Sequence, residues 1–315
     1  MTELVNDLRE GKKMKDKFMF SEKIECWEDW GRVYHSIPAF EKLIRCIFER
    51  ERLPMTEITH LTPGTNGVFR VGEYVVKIYA PKESGMDQTD SRQTEIFAAK
   101  FAEGAGVCIP SVLACGEVCD RYSFAYMIMK YIEGKELGEI LKGCGEERQF
   151  RLGQRLREYT DAMNIPCSPF NRIQVISDPD RSRRWKPYSE DFRRGRSVYL
   201  EGKDFGEFVF THGDLCADNI LVDEEERLIV IDFADAVLAP GCYEPSLLAF
   251  EYHSYPAFLQ GYWKGSGRKE VAGQVFDGIL LHDFGGDIVK AAFPDALQYC
   301  SVDELYEQIL QFLPL

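Results

Sequence analysis

The spacing of apolar side chains changes several times along this chain, and each change predicts a different element. In residues 1–57 they recur at helical intervals: Ile24, Trp27, Trp30, Val33 and Tyr34, then, after an interruption at Pro38, Phe40, Leu43, Ile44, Ile47 and Phe48. This spacing predicts a helical N-terminal extension of amphipathic segments packed on the main body, with the tryptophans in the core. From Ile58 the runs shorten. Ile58-Thr-His-Leu-Thr, the loop Pro63-Gly-Thr-Asn-Gly67, Val68–Val71, a turn at Gly72-Glu73 and Tyr74–Tyr79 read as strand, glycine loop, strand, turn and strand. Asp90–Ala102 reads as a helix, and Val112–Val118 and Ser123–Ile132 as two further strands joined near Asp120. Lys135 to Met163 is mostly helical, and 166–196 is irregular. Pro240–Tyr262 turns into an apolar helix, and the tail ends in an amphipathic helix carrying Val302, Leu305, Ile309, Leu310 and Leu313. No internal repeat appears.

The most informative stretch runs from Phe208 to Asp235. Three short apolar runs, Phe208–Phe210, Ile220–Val222 and Leu228–Ile231, are bounded by polar turns and read as buried strands. The acidic turn Asp223–Glu226 is a hairpin tip in water. Such strands hold Asp214, Asn219 and Asp232 on rigid backbone at one end, as a catalytic constellation requires. Phosphoryl transfer needs a carboxylate near the attacking hydroxyl, metal ions on the phosphates and a cation on the non-transferred phosphates. In His-Gly-Asp-x-x-x-x-Asn, Asp214 supplies the carboxylate and Asn219 a neutral oxygen. Asp232 supplies an anionic oxygen, and Mg²⁺ suits such hard donors. His212 reads as structural, bonding backbone at the start of the loop, and Asp218 as a loop or cap residue.

Upstream, Gly64 and Gly67 let the backbone turn sharply so that amides can face a phosphate. A plain hairpin turn would explain them too, were it not for Lys77. That lysine lies among Val75, Val76, Ile78 and Tyr79, where an unpaired charge has no structural reason to be.

The composition narrows the class. The chain has 315 residues, 45% hydrophobic and 29% charged, as in an ordinary globular enzyme. No apolar run is long enough for a membrane span, and the N-terminus lacks the basic start and apolar core of a secretory signal. The ten cysteines are scattered without metal-ligand spacing, and read as small buried hydrophobes of a reducing cytoplasm. Of 52 acidic and 38 basic side chains, 21 and 6 lie from residue 201 onward. The negative balance thus lies wholly in the part that carries the catalytic stretch. Such a surface draws cations and repels nucleic acid, although a solvated acidic face would look the same. The basic insert Arg181–Lys186 and Arg193–Arg196 reads as a solvated, partly ordered segment, with an anionic partner as its alternative.

His212-Gly-Asp-Leu-Cys-Ala-Asp-Asn-Ile-Leu-Val-Asp, followed by Ile231-Asp-Phe-Ala-Asp, closely resembles the catalytic and metal motifs of the aminoglycoside phosphotransferase and choline kinase family. The match is specific over Thr211–Asp235 and weaker over about residues 60–260. The resemblance implies an α+β, bilobal protein-kinase-like fold, with a small antiparallel-sheet N-lobe over 58–131 and a larger, mainly helical C-lobe over 132–315. It implies that Lys77 holds the α- and β-phosphates of ATP or GTP and pairs with a helix glutamate, Glu95, with Glu103 in reserve. Met129 to Ile132 then form the hinge, with Met129 and Tyr131 at the nucleotide base. Gly213 replaces the arginine of protein kinases, Ala234 the glycine after Asp-Phe, and no Ala-Pro-Glu motif follows. These departures favour a small acceptor over a peptide. The reading is therefore a Mg²⁺-dependent small-molecule kinase acting on a hydroxyl of a cationic acceptor, an aminoglycoside, amino sugar or amino alcohol. Asp235, Glu244 and Glu251 are candidates to meet its ammonium groups. The alternatives are a catalytically silent nucleotide-binding or scaffold protein of the same fold, or a protein kinase. No nucleic-acid or membrane partner is expected.

Overall fold

A computed structural model describes residues 18–62, 64–86 and 88–315. The first part of the helical reading and Pro63 of the glycine loop lie outside the described residues.

The described residues up to Arg92, together with 110–133, form one compact unit. Helix α1 (Trp27–Val33) is short, and α2 (Ile37–Arg50) restarts beyond it. Pro38 does not break α2: it sits in its first turn, where the missing N–H costs nothing, and the Ser36 hydroxyl caps the helix by accepting from the Ala39 amide. The apolar stripe Phe40, Leu43, Ile44, Ile47 and Phe48 is fully buried. It packs on strands β1 (Ile58–His60), β2 (Gly67–Val71), β3 (Tyr74–Ile78), β4 (Val112–Cys119) and β5 (Ser123–Lys130), which form an antiparallel sheet in the order β1-β2-β3-β5-β4. Phe20, Ile24 and Trp30 share this core with Phe69, Val76, Phe124 and Ile128. The N-terminal segment is therefore one wall of the sheet's own core. Trp27, by contrast, stays 37% exposed. Alternation of side chains across the pleat puts Val68, Lys77 and Met127, directly opposite one another, on the sheet face away from that core.

The second unit comprises residues 93–109 and 134–315. Helix α3 (Thr89–Gly104) groups with it from Gln93 onward, and Phe101 stacks on Phe210 at 4.6 Å. After β6 (Lys135–Glu136) come α4 (Leu137–Gly143), α5 (Glu146–Met163) and, beyond an irregular stretch, α6 (Glu190–Gly202). Strands β7 (Phe208–Thr211), β8 (Ile220–Val222), β9 (Leu228–Val230) and β10 (Val237–Pro240) follow, and then α7 (Tyr243–Glu251), α8 (Pro256–Tyr262), α9 (Arg268–Leu281), α10 (Gly285–Ala292) and α11 (Val302–Phe312). The two units give the α+β class expected, one built on an antiparallel sheet and one mainly helical.

Two readings are corrected. The basic insert is solvated only in part: Arg183, Lys186, Arg193 and Arg194 are exposed, but the segment is anchored by its other arginines. Arg193–Arg196 lies within α6, and Arg181 and Arg196 are buried. Arg181 donates to the Tyr243 hydroxyl, and Arg184 pairs with Asp287 at 2.6 Å. Arg196 bonds the Leu280 carbonyl through Nε and Nη2, at 2.9 and 2.6 Å, with its guanidinium over the Trp185 ring. Arg196 sits where the end of α9 leaves a carbonyl unpaired, which a planar guanidinium satisfies well. The cysteines are free thiols as expected, but none is buried, so they are not core packing.

Arg196→Met is expected to lower stability by about 2–4 kcal/mol, because the Leu280 carbonyl loses its partners inside the protein. Urea unfolding measures this. A variant as stable as the parent would show that the guanidinium is not needed there.

Candidate active site

Strand pairing brings two loops together. β7 pairs with β10, Thr211 opposite Val237, and β8 pairs with β9, Ile220 opposite Val230. The loops 212–219 and 231–236 leave these paired strands side by side. They are stitched directly, because the Ile231 amide donates to the Asn219 carbonyl at 3.0 Å.

His212 makes a second stitch. Its Nδ1 accepts from the Asp214 amide at 3.2 Å, so Nε2 carries the hydrogen and donates to the Ile231 carbonyl at 3.0 Å. The ring is fully buried and packs against Phe233. Burial holds its pKa down to about 4. A neutral imidazole with both nitrogens engaged is a brace between the loops, as the sequence suggested.

The candidate catalytic groups sit on this frame. Asn219 Nδ2 donates both to the Asp214 carbonyl, at 2.9 Å, and to its Oδ2, at 3.0 Å. The amide nitrogen is thereby used up, and Oδ1 is the group left for a cation. Burial, then the charges of Asp235 and Asp232, push Asp214 up to about 7. Asp232 has φ +58°, a left-handed conformation that costs a non-glycine residue about 1–2 kcal/mol. Its exposed side chain is presented from that strained backbone, and such outliers gather at functional sites. Among the described residues, no group of three or more His, Cys, Asp and Glu could hold a metal. A cation on Asn219 and Asp232 would complete its shell from phosphate and water, as Mg²⁺ commonly does. The donor set fits that ion.

Glu244 requires a correction. It is 1% exposed, and its carboxylate accepts from the His212 amide at 2.5 Å and the Gly213 amide at 3.3 Å. It is thus not turned outward to meet an acceptor. Burial lifts its carboxyl to about 7, against the two amides, which favour the anion. The sequence carried the signal: Glu244 opens an apolar helix, where a charge needs a reason, just as Lys77 does in its strand. Asp235 and Glu251 are exposed, although Glu251 also accepts from the Ala217 amide. Two further supports went unread. The Tyr252 hydroxyl donates to the Leu215 carbonyl, and Asn171 Nδ2 donates to the Ala236 carbonyl at 2.9 Å and to Thr94 Oγ1 at 3.3 Å.

In the first unit, Lys77 is 4% exposed on its sheet face, Gly64 is exposed, and Gly67 opens β2. Met129 and Tyr131 are half-buried at the end of β5, and the Arg70 guanidinium lies 3.7 Å from the Tyr131 ring centre. In the second, Glu95 is 3% exposed on α3.

Residues 64–275 match the profile of the phosphotransferase enzyme family. No curated protein matches the chain in sequence. Among solved structures, a ternary complex of a thermostable aminoglycoside phosphotransferase APH(4)-Ia mutant with ADP and hygromycin B is 18% identical, with 85% of this chain and 97% of that one covered and a TM-score of 0.56. The gentamicin complex of APH(2")-IIa is 15% identical, with 85% and 95% covered and a TM-score of 0.58. The GDP complex of wild-type aminoglycoside 2'-phosphotransferase-IIIa is 18% identical, with 85% and 97% covered and a TM-score of 0.55. These neighbours share the kinase-like fold. The chain belongs to the phosphotransferase enzyme family. It is accordingly a phosphotransferase.

Two predictions follow from the frame. Gly213 has φ +81°, and a Cβ there would lie 2.3 Å from the Asp235 carbonyl. Gly213→Ala should destabilise by about 2–4 kcal/mol, left-handed strain and overpacking together; thermal unfolding that leaves the midpoint unmoved would contradict this. The second concerns His282, which is fully buried against Tyr243. Burial, helped by the Arg181 charge, depresses its pKa to about 3. The unfolded chain therefore takes up this proton first, near pH 6.5, and the stability His282 contributes is lost as pH falls from there towards 3. The stability gap between the parent and His282→Phe should accordingly shrink on acidification, by at most about 1.4 kcal/mol per pH unit. A gap that stays constant from pH 7 to 4.5 would refute the assignment.

Proposed function

We propose that the protein transfers the γ-phosphate of ATP or GTP to a hydroxyl of a cationic small molecule, with Asp214 as the catalytic base and Asn219 and Asp232 as Mg²⁺ ligands. One observation carries the reading: Asp214 is held by the Asn219 amide at 3.0 Å while the adjoining loop, bonded to Asn219 through Ile231, presents Asp232. A carboxylate for the hydroxyl and two oxygens for a cation thus share one rigid frame.

Asp214 aligns the hydroxyl and takes its proton as the bond to phosphorus forms and the bond from the γ-phosphorus to the bridging oxygen breaks, releasing the nucleoside diphosphate. A carboxyl raised towards neutrality by its surroundings is well matched to that task. Asn219 keeps Asp214 oriented through Nδ2 and offers Oδ1 to the cation. Mg²⁺, when bound, would neutralise phosphate charge and offset the repulsion between Asp214 and Asp232. Lys77 and Glu95 keep the roles that family resemblance assigns them, and Gly64 and Gly67 bring the loop backbone close to phosphate. Met129 and Tyr131 flank the base.

For the acceptor, the support is charge. The exposed carboxylates Asp218, Asp235 and Glu251 lie on or beside the loops that hold Asp214. Such a concentration favours ammonium groups. The neighbouring complexes with hygromycin B and gentamicin make aminoglycosides and related amino sugars the first compounds to test.

The test is phosphate transfer from ATP and GTP to a panel of amine-bearing alcohols, with and without Mg²⁺. Asp214→Asn should lower kcat about 10²–10⁴-fold while leaving nucleotide affinity nearly unchanged. An Asp214→Asn variant that turns over at the parent's rate would remove Asp214 from the mechanism. Preference for neutral sugars over amines would remove the cationic acceptor.

A further inference from the structure

The end of the loop between β1 and β2 is tied at two successive residues and closely packed at the next, all within the first unit. Trp30 Nε1 on α1 donates to the Thr65 carbonyl at 2.8 Å. Asn66 is buried, and its Oδ1 accepts from the Ala80 amide at 3.4 Å, beyond the end of β3. Gly67 lies against the backbone that follows α1, where an added Cβ would meet the Tyr34 carbonyl at 3.1 Å. Trp30 itself has no freedom to move. It is fully buried, stacked on Tyr34 at 6.1 Å and packed edge-on to Phe40 at 5.9 Å.

A trans peptide is planar, with its C=O and the following N–H pointing in opposite directions. By holding the Thr65 carbonyl towards α1, Trp30 therefore aims the Asn66 N–H away from it. Without that bond, the peptide between Thr65 and Asn66, in a loop bordered by Gly64 and Gly67, could rotate and withdraw the N–H. An N–H fixed before binding is worth more to an anion than one that must be ordered first.

We propose that Trp30 is a positioning residue for nucleotide binding: it latches the Thr65–Asn66 peptide so that the Asn66 amide is presented to a nucleotide phosphate. The proposal rests on the reading of the glycine loop as a phosphate site. It gives the N-terminal helix a part in substrate binding, beyond its place in the core.

The experiment compares binding of ATP and GTP with that of their parent nucleosides, by calorimetry with Mg²⁺ present. Trp30→Phe keeps an aromatic ring and loses the donor. It should weaken triphosphate binding about five- to tenfold, the loss of one ordering hydrogen bond, and leave nucleoside binding and the acceptor KM unchanged. Phe48→Leu, which loosens the same core against Tyr74 rather than against Trp30, should lower Tm and leave triphosphate affinity intact. Equal weakening of nucleoside and triphosphate by Trp30→Phe, or no weakening, overturns the latch. A second measurement needs no variant: the Asn66 amide resonance of the wild-type protein should shift with triphosphate and stay in place with nucleoside. If triphosphate binds and that resonance does not move, the amide is not the contact. If wild-type protein binds no triphosphate, the phosphate-site reading itself falls, and the latch with it.

Discussion

One buried carboxylate organises the loop that carries Asp214. Glu244 takes the amides of His212 and Gly213, the two residues immediately before Asp214. Backbone N–H groups in a buried turn must find acceptors, and no strand neighbour serves these two. Placing a full charge at 1% exposure is costly unless it is met by several donors. The helix and the loop thus solve each other's problem, and the Asp214 backbone inherits its position from that bargain. His212 then carries the order across to the second loop, and Asn219 returns it to the Asp214 side chain. Rigidity passes from a helix end to a carboxylate through four residues, none of which needs to touch a substrate to do so.

How much of this was legible in the sequence depends on how local the cause was. The strands around Asp214 and Asp232 follow from short apolar runs between polar turns, and helix α2 from its three- and four-residue stripe. Both are written in neighbouring residues. Strand β10 was not seen, because Val237-Leu-Ala-Pro240 is short and is a strand only by virtue of its pairing with β7. The fate of the basic insert was equally non-local. Arg181 and Arg196 look like any surface arginine until α7 and the end of α9 offer a hydroxyl and a carbonyl.

Glu244 shows a different kind of failure. The sequence singled it out, but for the wrong partner. A glutamate close to a catalytic motif and in an acidic half suggested contact with a cationic ligand. The apolar run Leu247, Leu248 and Ala249 that follows it already argued for burial, and burial argued for backbone amides. The apolar neighbours that mark Lys77 as a charge with a purpose mark Glu244 in the same way. That criterion has a firmer physical basis than closeness to a motif, since desolvation acts on a charge whatever its function.

Asn171 carries one more lesson. It lies in the irregular stretch between α5 and α6, a part of the chain that reads as a loop of free design. Yet a single amide nitrogen there reaches Thr94, beside Glu95 on α3, and the Ala236 carbonyl, next to Asp235. An irregular stretch without regular hydrogen bonding of its own is therefore wired to both α3 and the loop after Asp232. Replacing it wholesale would sever a strut between α3 and the loop that carries Asp235. A chimera built on this scaffold should retain Asn171 and its two partners, and vary only what surrounds them.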